Sequence, residues 1–297
     1  MDATYLSLFI FTIITILYYL IMKPSLQLED LYPKDPSVTA EESYTQYTKK
    51  SYYWLFFYIL LVILSQFFIN VGIIVNKCGG GLNQNFAAGA MMTFIPWVFI
   101  FGSVALILIV FPGFKSAFSN VIGYFAVSGE ANSILNELLV NTNLQQAVDA
   151  IDDTDPAAKT KKNELQKSAE AIIKLCGNTS IMINQIVPEN FTDYWGILEP
   201  LMKPKYQNPA AGTQDANILA SLKQQLLKTV ITRDNIGEAL WYFYTAILLI
   251  SIVQYNLTTR GCIQDPASMA ENHKLFLEQE ENQLKQQENS SGQVYAG

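Results

Sequence analysis

The sequence predicts an all-α integral membrane protein with four transmembrane helices, an interfacial amphipathic helix and a small helical soluble domain. Two observations carry this. Half of the 297 residues are hydrophobic and only 15% are charged, against roughly 25% charged in ordinary soluble domains. Four uncharged stretches, residues 4–22, 52–75, 86–111 and 240–257, lie near or above the ~20 apolar residues that a helix needs to cross a bilayer core. Without water to satisfy backbone groups there, such stretches fold as helices.

The first stretch has an acid and no base ahead of its apolar run, and no small-residue cleavage site follows. It reads as an uncleaved anchor rather than a signal peptide. Residues 23–51 form a polar connection rich in Pro, Glu, Ser and Tyr, expected to be irregular. Residues 52–111 read as a transmembrane hairpin. Its turn, 76–85 (NKCGGGLNQN), has three glycines that accept positive φ. Pro96 is expected to kink the third span, and Ala87, Ala88, Gly89 and Ala90 permit close helix approach.

After the third span comes FPGFKSAFSNVIGYF, residues 111–125. Pro112-Gly113 breaks the span. Phe114, Phe118, Val121 and Phe125 then recur at i, i+4, i+7 and i+11, with Ile122 at the edge of their face. Ser116, Ser119, Asn120 and Gly123 fall opposite. This spacing predicts an amphipathic helix over 112–128 lying in the membrane interface, apolar side down. Packing of the phenylalanine face on the soluble domain is the alternative.

Residues 129–237 are expected to form a helical domain of about a hundred residues. Ile134, Leu135, Leu138 and Leu139 open a helical stripe that Leu144, Val148 and Ile151 extend. An acidic turn at 152–156, a helix over 157–176 and an irregular, proline-punctuated aromatic segment follow. A last helix, 215–232, leads into the fourth span. The tail, 258–297, is polar, with helical potential near 273–287 and disorder expected beyond.

Lysine and arginine set the expected orientation. Lys23, Lys34, Lys49, Lys50, Lys115, Lys223, Lys228 and Arg233 lie on one side, against Lys77, Arg260 and Lys274 on the other. The soluble domain is therefore expected on the cytosolic face and both termini opposite. Tyr52, Tyr53 and Trp54, with Trp241, Tyr242 and Tyr244, form an aromatic belt on the same cytosolic side.

Several function classes lose support. The four spans contain no Asp, Glu, Lys, Arg or His, which argues against pumps, proton-coupled transporters and voltage sensors. A net charge of −7 and no basic patch leave nucleic-acid binding unsupported. The single histidine, His273, lies in the tail, and three cysteines suit neither a zinc site nor a disulfide scaffold. No catalytic residue, metal or cofactor is expected, and the chain does not read as an enzyme. Asp149, Asp152, Asp153 and Asp155 lack the glycine and distal glutamate of a calcium loop. The glycosylation-type triplets at Asn178, Asn190, Asn256 and Asn289 carry no weight.

Three candidate features remain. Gln66 and Asn70 share one helix face and are expected to make interhelical polar contacts, with pore lining as the alternative. Cys78 and Cys262 both lie just past span ends on the non-cytosolic side. A disulfide would tie the hairpin to the tail, although two free thiols are the preferred reading. Tyr194 and Trp195, in an aromatic segment expected to be exposed, are candidate partner-interface anchors, with core packing the equal alternative.

Residues 111–125 resemble a run of the form FPGW-x-x-x-FSNT-x-GY in multi-span virion membrane proteins of the nucleocytoplasmic large DNA viruses, algal and amoebal giant viruses among them. Phe114 stands where Trp is usual and Val121 where Thr is usual. Residues 229–256, TVITRDNIGEALWYFYTAILLISIVQYN, resemble the companion run. There an RDN-like turn and a Glu-x-x-Trp-Tyr entry precede a Ser-rich last span ending in Tyr-Asn. Val253-Gln254 stands where Val-Ser is common. The resemblance spans roughly residues 86–257. It implies a membrane-associated minor capsid protein, made in host endomembrane and resident in the virion's internal membrane. Its partners would be the bilayer, minor or major capsid proteins and copies of itself. A channel or holin-like pore, or an entry and fusion factor, are the alternatives.

Overall fold

The computed structural model describes residues 3–139, 179–262 and 266–291. The helix expected over 157–176, the acidic turn at 152–156 and the calcium-loop comparison at 149–155 lie outside the described residues. Among those described, every regular element is helical, apart from one antiparallel bridge between Leu139 and Met202.

Helix α1, Ala3–Leu17, widens into a π turn at Tyr18–Met22. A single-turn helix α2, Leu28–Leu31, precedes α3, Ala40–Cys78. Helix α4, Leu82–Pro96, continues through a π turn, Trp97–Phe101, into α5, Gly102–Val110. A 3-10 turn, Pro112–Lys115, leads to α6, Ser116–Phe118, a π turn at Ser119–Gly123, and α7, Tyr124–Leu138. Helices α8, Thr179–Gln185, and α9, Phe191–Leu198, are short. Helix α10 runs unbroken from Gln214 to Thr259, and α11, Pro266–Ser291, ends the described chain. Four of these helices, α1, α3, α4–α5 and α10, are long and apolar enough to cross a membrane.

The connection expected to be irregular over 23–51 is mostly helical. Thr39 accepts from the Glu42 backbone N–H at 3.2 Å, and the Glu42 carboxylate accepts from the Thr39 N–H at 3.0 Å. This capping box satisfies orphan amides and starts α3 a full three turns before its apolar run. At 39 and 46 residues, α3 and α10 extend about 58 and 69 Å at 1.5 Å per residue. Each is roughly twice the bilayer core. Both overhang at the same end of the bundle, where the extramembrane body is built on them.

The turn between α3 and α4 is shorter than expected, confined to Gly79–Gly81. Gly79 and Gly80 adopt φ of 71° and 79°, which a side chain would strain. Gly89 packs against Val71, and an added Cβ would collide with it. Pro96 has no N–H for the helix ladder, and the π turn at Trp97–Phe101 begins immediately after it.

Two cores result. The bundle core is aromatic: Phe11, Tyr58, Trp97, Phe101 and Tyr242 are almost fully buried. Tyr18 stacks on Tyr58 at 4.5 Å. The extramembrane core joins Leu26 and Leu31 to α7, α8, α9 and the overhang of α10. Trp195 belongs to this core at 4% exposure, stacked on Phe191 at 6.1 Å, and Tyr194 packs beside it. The expectation of an exposed aromatic segment is thus corrected for Phe191, Trp195 and Leu198; of the large apolar residues in their helix only Ile197 stands well out. Helical spacing brings residues 191, 195 and 198 onto one face, which docks inward.

The segment 199–206 is clasped to α7 by Glu137. Its carboxylate accepts from Tyr206 Oη at 2.7 Å, Lys205 Nζ at 2.8 Å and Lys203 Nζ at 3.3 Å. Lys205 first, then Tyr206 and Lys203, hold the carboxyl down at about 2. A carboxyl held below its ordinary value stabilises the fold above that value, and the contribution fades as pH falls toward 2. The thermal midpoint is therefore expected to drop between about pH 4.5 and pH 2, less steeply in Glu137→Gln. Identical slopes for the two chains contradict the clasp.

At the far end of the bundle Cys78 and Cys262 are joined by a disulfide across 184 residues of sequence. This corrects the preference for free thiols. The overhang-free ends of α3 and α10 meet there, a proximity that spacing alone does not reveal. Lys77 reinforces the junction, donating to the carbonyls of Leu257, Thr258 and Arg260 at 3.0, 2.7 and 2.7 Å. A cation there satisfies the orphan acceptors of a helix C-terminus. On non-reducing electrophoresis the parent chain is expected to run ahead of Cys262→Ser, and reduction should erase the difference. Equal mobility without reductant would dissolve the bridge.

Candidate functional site

Helix α10 carries Arg233, Asp234, Gly237, Glu238, Trp241 and Tyr242 just before and into its apolar run. The spacings of four and five residues put them along one stripe of the helix. Three other chain segments end against this stripe. The π turn after α1 delivers Tyr19 and Lys23, the Pro112-Gly113 break delivers Lys115, and the π turn 119–123 delivers Ser119 and Gly123.

The charges pair. Lys115 Nζ lies 3.0 Å from Asp234 and 3.4 Å from Glu238; Lys23 Nζ lies 3.0 Å from Glu238. Tyr19 Oη donates to the second oxygen of Glu238 at 3.1 Å. All four charged side chains are at most 13% exposed. Burial alone would lower the pKa of Lys115, but Glu238 and Asp234 overcome it and hold the ammonium above its ordinary value. Two lysines against two carboxylates make the cluster neutral, the condition under which buried charge is tolerated.

Arg233 turns away from the acids. Its guanidinium, fully buried, donates to the carbonyls of Ile183 and Ile186, the latter at 2.7 Å, and to Asn184 Oδ1 at 3.4 Å. It thereby caps the C-terminus of α8 and fixes the extramembrane body to the stripe. Asn184 in turn donates to the Asn120 carbonyl at 3.2 Å.

Close backbone contact completes the joint. A Cβ on Gly237 would stand 2.7 Å from Ser119 Cβ and 2.9 Å from the Lys115 carbonyl, and one on Gly123 would stand 2.6 Å from the Arg233 carbonyl. Only glycine fits at either position. Trp241 Nε1 donates to the Phe114 carbonyl at 2.9 Å, and its ring meets Phe118 edge-on at 5.1 Å. A cavity of about 190 Å³ opens beside the ion pairs, between α3, the α1 terminus and α10.

No family model, curated protein or solved structure matches this chain.

The features expected from sequence fall as follows. Gln66 donates to the Ser7 carbonyl of α1 at 3.0 Å; Asn70 donates to Thr93 at 2.9 Å and accepts from Gln254 at 3.2 Å. Both amides join neighbouring helices. Phe114, Val121, Ile122 and Phe125 are 46–74% exposed, whereas Phe118 is partly covered by Trp241. The polar side of that segment, Ser119 and Gly123, is the buried one, pressed on α10. The segment does not end at 128 but runs on into α7.

Lys23, Lys115, Asp234 and Glu238 were not read as a cluster from sequence: the basic members counted as topology charges, and Asp234 and Glu238 entered only through the resembling RDN and Glu-x-x-Trp-Tyr runs. The available signal was Asp234 and Glu238 at i, i+4 against an apolar run, a placement that costs free energy unless paired. Lys115→Met is expected to cost about 3–5 kcal/mol by leaving Asp234 without its cation. Adding Asp234→Asn should recover part of that loss in thermal midpoint; strictly additive losses would mean that the two groups are not coupled.

Proposed function

We propose that the chain is a structural anchor of a large DNA virus particle, held in the internal membrane and linking that bilayer to the icosahedral capsid. The observation that carries the reading is that the two runs sharing the viral resemblance meet as halves of one joint. Lys115 pairs with Asp234, Ser119 faces Gly237, Gly123 faces Arg233, and Phe114 accepts from Trp241. The resembling runs supply Ser119 and Gly123 where backbones touch, and Asp234, Glu238 and Trp241 on the facing helix; Lys115 stands at a position that the first run leaves open.

The architecture suits such an anchor. Helices α3 and α10 pass unbroken from the apolar bundle into the extramembrane body, so a load on that body reaches the spans without a flexible link. The apolar face of Phe114, Val121, Ile122 and Phe125 would rest in the interface and set the height of the joint. The disulfide supports placing the Cys78 and Cys262 end in the oxidising lumen of host endomembrane and the body on the cytosolic side. Capsid proteins or further copies of the chain would bind the body, through residues other than the buried Trp195. The role needs neither catalysis nor a cofactor. A pore would need Gln66 and Asn70 free to face a path, whereas both spend their amides on adjacent helices.

Quantification in purified, detergent-stripped particles tests the anchor. The chain is expected to remain with the shell at a fixed ratio to the major capsid protein. Its absence, or presence in trace copies, would overturn the role.

A further inference from the structure

We propose that the cavity beside the ion pairs binds the quaternary ammonium head group of a zwitterionic phospholipid. Its height is the first argument. The lining includes Lys23, Ser51, Tyr52 and Pro112, each at the end of a membrane-spanning run, so the cavity lies at head-group level on the side of the overhangs. Tyr52 and Pro112 are exposed to the surroundings of the bundle, which gives a lipid lateral entry.

The lining chemistry selects a cation without hydrogen-bond donors. Five tyrosines, Tyr18, Tyr44, Tyr47, Tyr52 and Tyr242, contribute, and Tyr44 and Tyr47 lie 6.0 Å apart at their ring centres. Aromatic surroundings of this kind recognise quaternary ammonium groups through the ring quadrupole. The charged lining is Glu189, Asp234 and Glu238 against Lys23 and Lys115. Three carboxyl groups against two ammoniums give the lining an acidic excess; desolvation of its carboxyl raises the Glu189 pKa, and a ligand cation beside it would favour the ionised form. Asp234 and Glu238 already accept from lysines, so of the three carboxyls only Glu189 is left to an incoming cation, and the rings supply much of its remaining surroundings. Glu189 is exposed and makes no ion pair within 4 Å among those of the described residues. The volume of about 190 Å³ is below the roughly 300–1,000 Å³ of drug-sized ligand sites. It admits a head group and leaves the acyl chains in the bilayer.

The experiment uses the full-length chain in nanodiscs of equal parts phosphatidylcholine, phosphatidylethanolamine and phosphatidylglycerol, with retained lipids counted by native mass spectrometry. Phosphatidylcholine is expected to be enriched over its bulk share by roughly three- to tenfold, the size of one or two cation–π contacts. Glu189→Gln, at an exposed position, and Tyr47→Leu should each bring retention back toward the bulk share, while Tyr47→Phe should keep it. Millimolar soluble phosphocholine should fail to displace the lipid. Four results would overturn the proposal: no enrichment, enrichment of phosphatidylglycerol on the lysines, enrichment unchanged by both ring and charge variants, or displacement by phosphocholine, which would name a soluble ligand. The inference rests on the four-span architecture and not on a viral role. A chain that fails to enter nanodiscs sinks the spans, whereas one that enters without lipid preference sinks only the site.

Discussion

Four charges buried where the helices leave the membrane organise the rest of the molecule. Lys23, Lys115, Asp234 and Glu238 come from three parts of the chain and meet within 3.4 Å of their partners. Desolvating them is expensive, and their mutual attraction offsets that cost only while the geometry holds. The cluster therefore acts less as a source of net stability than as a selector of one arrangement. Any register of α10 other than the observed one would strand an acid against lipid or apolar side chains. The glycines on the same stripe act in concert: Gly237 and Gly123 bring backbones close enough for Lys115 to reach both carboxylates.

How much of this could be read from sequence depends on whether each feature is local. The spans were legible because the bilayer imposes a length and a composition on every crossing segment, independent of its neighbours. The early start of α3 was also written locally, in Thr39 and Glu42 at capping-box spacing, though its apolar boundary drew attention to residue 52 instead. The ion cluster was not legible, since Lys23 and Lys115 stand 92 positions apart and meet only through α10. Trp195 shows the limit most plainly. An aromatic residue among prolines fits a core and a docking surface equally, and only the packing of α9 against the extramembrane core decides it.

Phe114, Phe118, Val121 and Phe125 show a partial success of another kind. Of the residues this periodicity groups, Phe114, Val121 and Phe125 are exposed and Phe118 meets Trp241, but the opposite side proved the more constrained. Ser119 and Gly123 are buried because small side chains let α10 approach, not because polar groups seek water. Period alone gives the faces; side-chain volume tells which one another helix can cover.

Helices in a bilayer gain little from the hydrophobic effect when they associate, since lipid tails are as apolar as leucine. Something else must hold them, and in this bundle it differs with depth. Ion pairs and Tyr19 fasten the overhang end. Interdigitated rings of Phe11, Trp97, Phe101 and Tyr58 fill the middle. Farther down, the amides of Gln66, Asn70 and Gln254 bridge four helices, and a disulfide with Lys77 closes the far end. Directional bonds stand at both ends, and dispersion fills the space between. A bundle so fastened resists sliding or rotation of one span against another, because each such motion breaks contacts in several layers at once.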